Sequence, residues 1–203
     1  MKILFASKNA KKTAEVQRMA PKKIEVVCLS DIPEAAGIPQ TEENGKTFLD
    51  NAVIKARYWH EKLNMPVLAE DSGLEIDALN GYPGVYTKRC VKELCPGANI
   101  NEDNPGELYP LLLELMEKSD ESIKTATWFS AMAYVDQQGQ ITEKVRYLRG
   151  LMCQCAGERE FGFDQYFKPI GYDKTLSQME PTEKDKLGPR NKALKAILKE
   201  IQK

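Results

Sequence analysis

Histidine is nearly missing from this chain: His60 is the only one in 203 residues. That excludes a His-rich metal site, and a Ser–His–acid triad would have to use a histidine that falls inside a predicted helix. Cysteine is sparse and poorly spaced. The five residues Cys28, Cys90, Cys95, Cys153 and Cys155 are odd in number and include no C-x-x-C pair, so free thiols in a reducing cytosol are expected rather than a disulfide framework or a zinc site. Excess charge of either sign is lacking too. With 29 basic and 30 acidic residues the net charge is −1, and there is no basic stripe or repeat, so no nucleic-acid partner or anionic membrane surface is expected. A small anionic ligand needs only a local cluster and is not excluded. No apolar run reaches membrane-spanning length. The opening MKILFASKNAKK has too short an apolar run, and no cleavage site, for a signal peptide, which makes a cytoplasmic location the expectation. The glycines of a Walker loop or a dinucleotide fingerprint are also absent.

What remains is ordinary for a soluble globular protein: 42% hydrophobic and 29% charged residues. The length allows a good core, and no linker divides the chain, so residues 1–203 read as a single domain. Lys2–Ala6 reads as a buried strand, Ala10–Ala20 as a helix stopped by Pro21, and Ile24–Leu29 as a second strand. Asp31–Gly45, rich in Pro, Gly and acids, reads as a loop. Thr47–Asn64 is a strong helix: Phe48, Ala52, Ala56, Trp59 and Leu63 recur at helical spacing, and Asn51 and Lys55 share a neighbouring face. Val67–Ala69 reads as a short strand ending at Glu70-Asp71-Ser72-Gly73, and Leu74–Leu79 as another. Pro105–Lys118 is a second strong helix, Ile123–Val135 and Ile141–Cys155 form a hairpin around Asp136–Gly139, and Lys192–Ile201 is a closing helix. The mixture predicts an α/β or α+β layered fold.

Four segments could carry chemistry. Ser7-Lys8-Asn9-Ala10-Lys11-Lys12 joins a strand to a helix, where free N–H groups, the helix dipole and lysines suit a phosphate; the plainer alternative is an N-cap with solvated lysines. Glu70-Asp71-Ser72-Gly73 places two acids at a predicted strand end. With Glu43 and Lys55 nearby in sequence, it has the carboxylates that Mg²⁺ uses beside substrate phosphates and water. The alternative is a turn with local backbone bonds. Phe161-Gly162-Phe163-Asp164 could stack on a purine and accept from its ring N–H, or simply pack in the core. Glu183-Lys184 through Pro189-Arg190 supplies donors, or else a solvated face.

Together, and in this order along nearly the whole chain, these segments resemble the inosine triphosphate pyrophosphatase family. Ser7, Asn9 and Lys12 match its opening Ser/Thr-x-Asn-x-x-Lys segment. Gly45, Thr47, Phe48, Asp50, Asn51, Ala52, Lys55 and Ala56 match its long helix start, and Glu70 to Leu74 its acid-Asp-Ser-Gly-Leu segment. Leu79, Gly81, Pro83, Gly84, Val85 and Arg89 match the turn that follows. Phe161 to Asp164 match its Phe-Gly-aromatic-Asp segment, and Thr175, Met179, Glu183, Lys184, Arg190, Ala193 and Leu194 its C-terminal block.

The resemblance implies an elongated mixed β-sheet flanked by helices, in two lobes with a central nucleotide-binding cleft. It implies hydrolysis of deaminated purine nucleoside triphosphates (ITP, dITP, XTP) to a monophosphate and pyrophosphate, with Mg²⁺ as cofactor, in a homodimer. Ser7, Asn9, Lys12 and Lys55 would hold the triphosphate, Glu43 and Asp71 the metal, and Asp71 would also act as the base. Ser72 would contact substrate. Phe161, Gly162, Phe163, Asp164, Lys184 and Arg190 would lie at the base. The chain departs from the family where Gly188-Pro189-Arg190 stands for Ser-His-Arg, where Gln165 stands for proline, and in 150–160, which lacks the usual Gly- and Pro-bearing loop. All three changes fall on the base side, and proline offers neither N–H nor polar side chain, so altered base selectivity is the expectation. Two other readings remain: a nucleotide-binding protein without efficient hydrolysis, and a pyrophosphatase for another modified nucleotide.

Overall fold

The computed structural model describes residues 1–87, 90, 94, 108–120, 122–158 and 162–201. Strand β1 (Lys2–Phe5) pairs in parallel with β2 (Glu25–Cys28) on one side and with β3 (Val67–Ile76) on the other. Strands β4 (Thr125–Val135), β5 (Ile141–Met152) and β6 (Phe167–Pro169) complete a six-stranded sheet in the order β2-β1-β3-β4-β5-β6, with β6 antiparallel to β5. The described residues also form five α-helices: α1 (Ala10–Met19), α2 (Phe48–Leu63), α3 (Leu108–Asp120), α4 (Pro181–Leu187) and α5 (Pro189–Glu200). This is a mixed α/β fold, as the sequence predicts.

The chain packs into two compact units that interleave along the sequence. One comprises Met1–Ser72, Ser130–Arg146 and Asp185–Lys203; the other comprises Gly73–Phe129 and Tyr147–Lys184. In the first, alternation along the strands feeds two cores. Leu4, Ala6, Val67, Ala69, Ala133 and Val135 pack with Ala52, Ala56 and Trp59 of α2. Their neighbours Ile3, Phe5, Leu68, Met132 and Tyr134 pack with Val16 of α1 and Ala193, Leu194 and Ile197 of α5. A strand buried on both faces reads as a continuous apolar run, which is why β1 is recognisable without alternation. In the second unit, Leu108, Leu112 and Met116 bury one face of α3, and Trp128, Phe163, Tyr166 and Phe167 form an aromatic core.

The ends of α2 follow its sequence closely. Thr47 and Asp50 form a reciprocal capping box, and Asn64 closes the helix in the left-handed conformation. At the β4–β5 turn the Asp136 carboxylate accepts from the N–H groups of Gln138 (2.9 Å) and Gln140 (2.8 Å), while Gly139 supplies a φ of +79°.

Three expectations need correction. The acids 70 and 71 do not end a strand: β3 runs unbroken through them from Val67 to Ile76, because charged partners from other elements neutralise Glu70 inside the fold. The segment Pro181–Leu187, seen in the sequence only as a set of donors, is a short helix. The closing helix begins at Pro189, with Pro in the first turn where its missing N–H costs nothing. The predicted start of α3 at Pro105, and also Arg89, Cys95 and Phe161, lie outside the described residues.

Candidate active site

Chain leaving β1 turns directly into α1. The Asn9 side chain caps the helix by accepting from the Lys12 N–H at 3.0 Å, and the Asn9 N–H donates to Ser7 Oγ at 3.1 Å. No acid lies in the first turn of α1, where Lys11 and Lys12 stand. Cations at the positive end of a helix dipole are unfavourable unless an anion joins them. By contrast, α2 carries Asp50 in its first turn.

Alternation in β3 sorts the next residues. Val67 and Ala69 face α2, so Asp71 does too; Leu68 faces α1 and α5, so Glu70 and Ser72 do. The side-chain bonds agree. Lys12 Nζ donates to Ser72 Oγ at 2.8 Å and lies 3.4 Å from Glu70 Oε2. Arg190 Nε, from α5, donates to Glu70 Oε1 at 2.9 Å, and Arg190 Nη1 pairs with Glu15. Arg190 Nη2 reaches Ser72 Oγ at 3.5 Å. Ser130 Oγ from β4 donates to Glu70 Oε1 at 2.7 Å. On the other face, Asn51 Nδ2 donates to Asp71 Oδ2 at 2.9 Å, and the Asn51 carbonyl accepts from the Gly45 N–H at 2.8 Å. That acceptor bond fixes which way the amide points. The Ser72 N–H donates to Asp71 Oδ1 at 3.1 Å. Lys55, one turn beyond Asn51, donates to the Glu70 carbonyl at 3.1 Å and pairs with Glu43 at 2.8 Å.

This cluster interleaves the carboxylates of Glu15, Glu43, Glu70 and Asp71 with the cations Lys12, Lys55 and Arg190. The two adjacent acids are tuned in opposite directions. Burial pushes Glu70 up, but Arg190, Lys12 and Ser130 outweigh it and hold the carboxyl at about 2. Burial raises Asp71 above the usual range, and the lysines 55 and 12 offset only part of that. Burial lowers the Lys12 ammonium, with Glu70 opposing. Glu70 is therefore a fixed structural anion, while Asp71 is the more basic carboxylate.

Among the described residues no three His, Cys, Asp or Glu side chains are grouped to hold a metal. Mg²⁺ does not require such a cage, since it uses one or two carboxylates with phosphate and water. Glu43, whose side chain is 36% exposed, and Asp71 both face Lys55 and act on each other electrostatically. They fit a site of that kind.

In the second unit a separate pair forms. Lys184 Nζ lies 2.5 Å from Asp164 Oδ2, with both residues buried. Next to Asp164, Phe163 is packed in the aromatic core rather than displayed as an open platform, and Gly162 has a φ of +57°. The structure thus groups Ser7, Asn9, Lys12, Glu43, Lys55, Asp71, Ser72 and Arg190 in one unit, and Gly162, Phe163, Asp164 and Lys184 in the other. Arg190, expected at the base with Lys184, is engaged by Glu70, Glu15 and Ser72. Sequence reasoning missed Glu15, Asn51 and Ser130 as site residues. Asn51 was visible as the residue one turn before Lys55, and Glu15 as the residue one turn after Lys12; Ser130 has no local signal.

The model of the Ham1 family matches residues 3–200. The chain belongs to the Ham1 family. Its relatives include the dITP/XTP pyrophosphatase of Corynebacterium efficiens, 36% identical over 99% of this chain and 97% of that protein, and that of Elusimicrobium minutum, 34% identical over the full length of both. Among solved structures, the HAM1 protein from Coxiella burnetii superposes with a TM-score of 0.85 at 29% identity, covering 100% of this chain and 98% of that one. The dITP/XTP pyrophosphatase from Mycobacterium abscessus gives 0.74 at 35%, covering 98% and 99%. The Ham1 family assignment accords with the order of motifs in the sequence and with the mixed α/β sheet.

Proposed function

We propose that this Ham1 protein is a nucleoside triphosphate pyrophosphatase that hydrolyses deaminated purine triphosphates such as dITP, ITP and XTP to a monophosphate and pyrophosphate. The observation that carries the reading is the two-sided use of β3. Glu70 and Ser72 fix Lys12 at the start of α1, and Asp71 on the opposite face is oriented by Asn51 and raised in basicity by burial. Relatives at 34–36% identity carry the name dITP/XTP pyrophosphatase. Neither unit is contiguous in sequence, and residues 1–203 are taken as one catalytic domain.

In this reading Ser7, Asn9 and the N-terminus of α1 bind phosphate oxygens, and Lys12 and Lys55 offset their charge. Phosphoryl transfer is mainly positioning and charge neutralisation, so a covalent nucleophile is not needed. Asp71 accepts a proton from the attacking water; its two hydrogen bonds, to Asn51 and the Ser72 N–H, leave lone pairs free and fix the carboxylate plane. Glu43 and Asp71 are the residues that would hold Mg²⁺. When bound, the ion offsets phosphate charge and makes water more acidic. Asp164 and Lys184 are the proposed base-recognition pair. Pro189 leaves no donor where the family's usual histidine would stand, so the preference among bases is expected to be shifted. A homodimer and a cytoplasmic location belong to the same proposal, the first on family resemblance and the second on the free thiols of Cys28, Cys90, Cys153 and Cys155.

The test is product analysis with ITP, XTP, dITP, dUTP and the four common triphosphates, with and without Mg²⁺. Pyrophosphate, rather than phosphate, should appear only with the metal, and fastest from a deaminated purine. Binding of these nucleotides without any cleavage would favour a nucleotide-binding protein instead.

A further inference from the structure

We propose that Trp128 is a specificity-determining positioning residue, holding the Lys184 ammonium where a base is read. The inference rests on the reading of Asp164 and Lys184 as the base-recognition pair. Trp128 lies on β4 and is 4% exposed. Its ring faces Lys184 Nζ at 5.9 Å and meets the ring of Phe163 edge-on, with centroids 5.6 Å apart. Phe163 immediately precedes Asp164, whose carboxylate holds the same ammonium at 2.5 Å. Phe163 is gripped in turn by Tyr109 and Phe167, at 6.1 and 5.7 Å. One indole therefore touches both sides of the pair: the cation through its face, and the carboxylate's neighbour through an edge contact.

This arrangement does more than fill space. A lysine ammonium on a flexible stem has several positions within reach of a single carboxylate oxygen. The negative face of an indole removes part of that freedom, and does so in desolvated surroundings, where cation–π attraction is strongest. A ligand that reads the Lys184 N–H groups would depend on where they point. A ligand that ignores them would not. Trp128 should therefore affect discrimination between bases more than turnover.

The experiment compares wild type with Trp128→Phe, Trp128→Leu, Lys184→Met and the double variant Trp128→Leu/Lys184→Met, each checked by thermal unfolding and assayed well below its Tm. The kcat/KM ratio of ITP to ATP is the readout. Trp128→Leu should change that ratio about 10-fold, through KM, with kcat within about twofold. Trp128→Phe, which keeps an aromatic face, should recover most of it. Adding Lys184→Met to Trp128→Leu should change the ratio no further than Lys184→Met alone. The inference is overturned if Lys184→Met shifts the ratio while Trp128→Leu does not, or if Trp128→Leu lowers kcat equally on both substrates. If Lys184→Met itself leaves the ratio unchanged, the base-recognition reading fails and takes this inference with it.

Discussion

The two clusters solve different physical problems. In the first unit, four carboxylates and three cations from α1, α2, β3, α5 and the loop before α2 are cross-linked, and Lys12, Lys55, Glu70, Asp71 and Arg190 each have at least two hydrogen-bonding or ionic partners. In the second, one ion pair sits among aromatic rings. In the proposed function the lysines of the first network meet the phosphate chain, while Glu43 and Asp71 meet the metal that offsets its charge. A single pair in a rigid apolar wall is suited to a flat, neutral group whose few polar atoms must be told apart. In the proposed function charge chemistry and base discrimination therefore fall to different clusters, and the predictions probe that division.

The largest expected effect is on stability. Arg190→Met removes the main partner of the buried Glu70 and should cost about 3–5 kcal/mol, the usual penalty for breaking a buried ion pair. Chemical denaturation measures it. A loss below about 1 kcal/mol would show that the cluster is not an interdependent network. Next is Asn51→Ala, which frees the Asp71 carboxylate from its orienting amide. It should lower kcat about 10- to 100-fold, the range seen when partners of catalytic ligands are removed, while the ITP-to-ATP ratio stays as in wild type. A changed ratio would erase the proposed division.

Acid titration sharpens the same point. Glu70 is held at about 2 against an ordinary value of 4.5. Below 4.5 the unfolded chain takes up a proton that the folded chain does not, so stability falls as pH drops from about 5 towards 2. Asp71 has the opposite sign: its raised value favours the folded state at low pH, and that contribution is lost as pH rises through it. Glu70→Gln should flatten the acid limb of the stability profile, whereas Asp71→Asn should slightly raise stability at neutral pH. The smallest effect is expected at the exposed pair Glu114–Lys118 on α3, where Glu114→Ala should cost about 0.3–0.5 kcal/mol and leave every kinetic ratio intact. It sets the baseline for the other variants.

How much of this was legible follows from how local each signal is. The caps Thr47 and Asn64 sit next to the helix they bound, so α2 could be placed almost to the residue. The apolar run Lys2–Ala6 announces a strand buried on both faces. By contrast, Glu70 and Asp71 look like the end of a strand, because two acids in the middle of one are unfavourable unless partnered. The partners, Lys12, Ser130 and Arg190, are 58, 60 and 120 residues away in sequence. For the same reason Ser130 was invisible: a buried serine is defined by what it donates to. Arg190 was legible as a donor matching the family's C-terminal block but not as a partner of Glu70, since its short preceding helix Pro181–Leu187 carries almost no apolar periodicity to set its direction. The family motifs named residues that the fold gathers into two clusters, and the pairwise contacts within each cluster had to come from the fold.

The central claim is tested most directly by steady-state kinetics of Asp71→Asn beside wild type on ITP and ATP with Mg²⁺. The account predicts a fall in kcat of about 10²- to 10⁴-fold, the usual range for losing a general base, equal for both substrates, with the ITP-to-ATP selectivity unchanged. Retention of wild-type kcat, or a loss confined to one base, would contradict it.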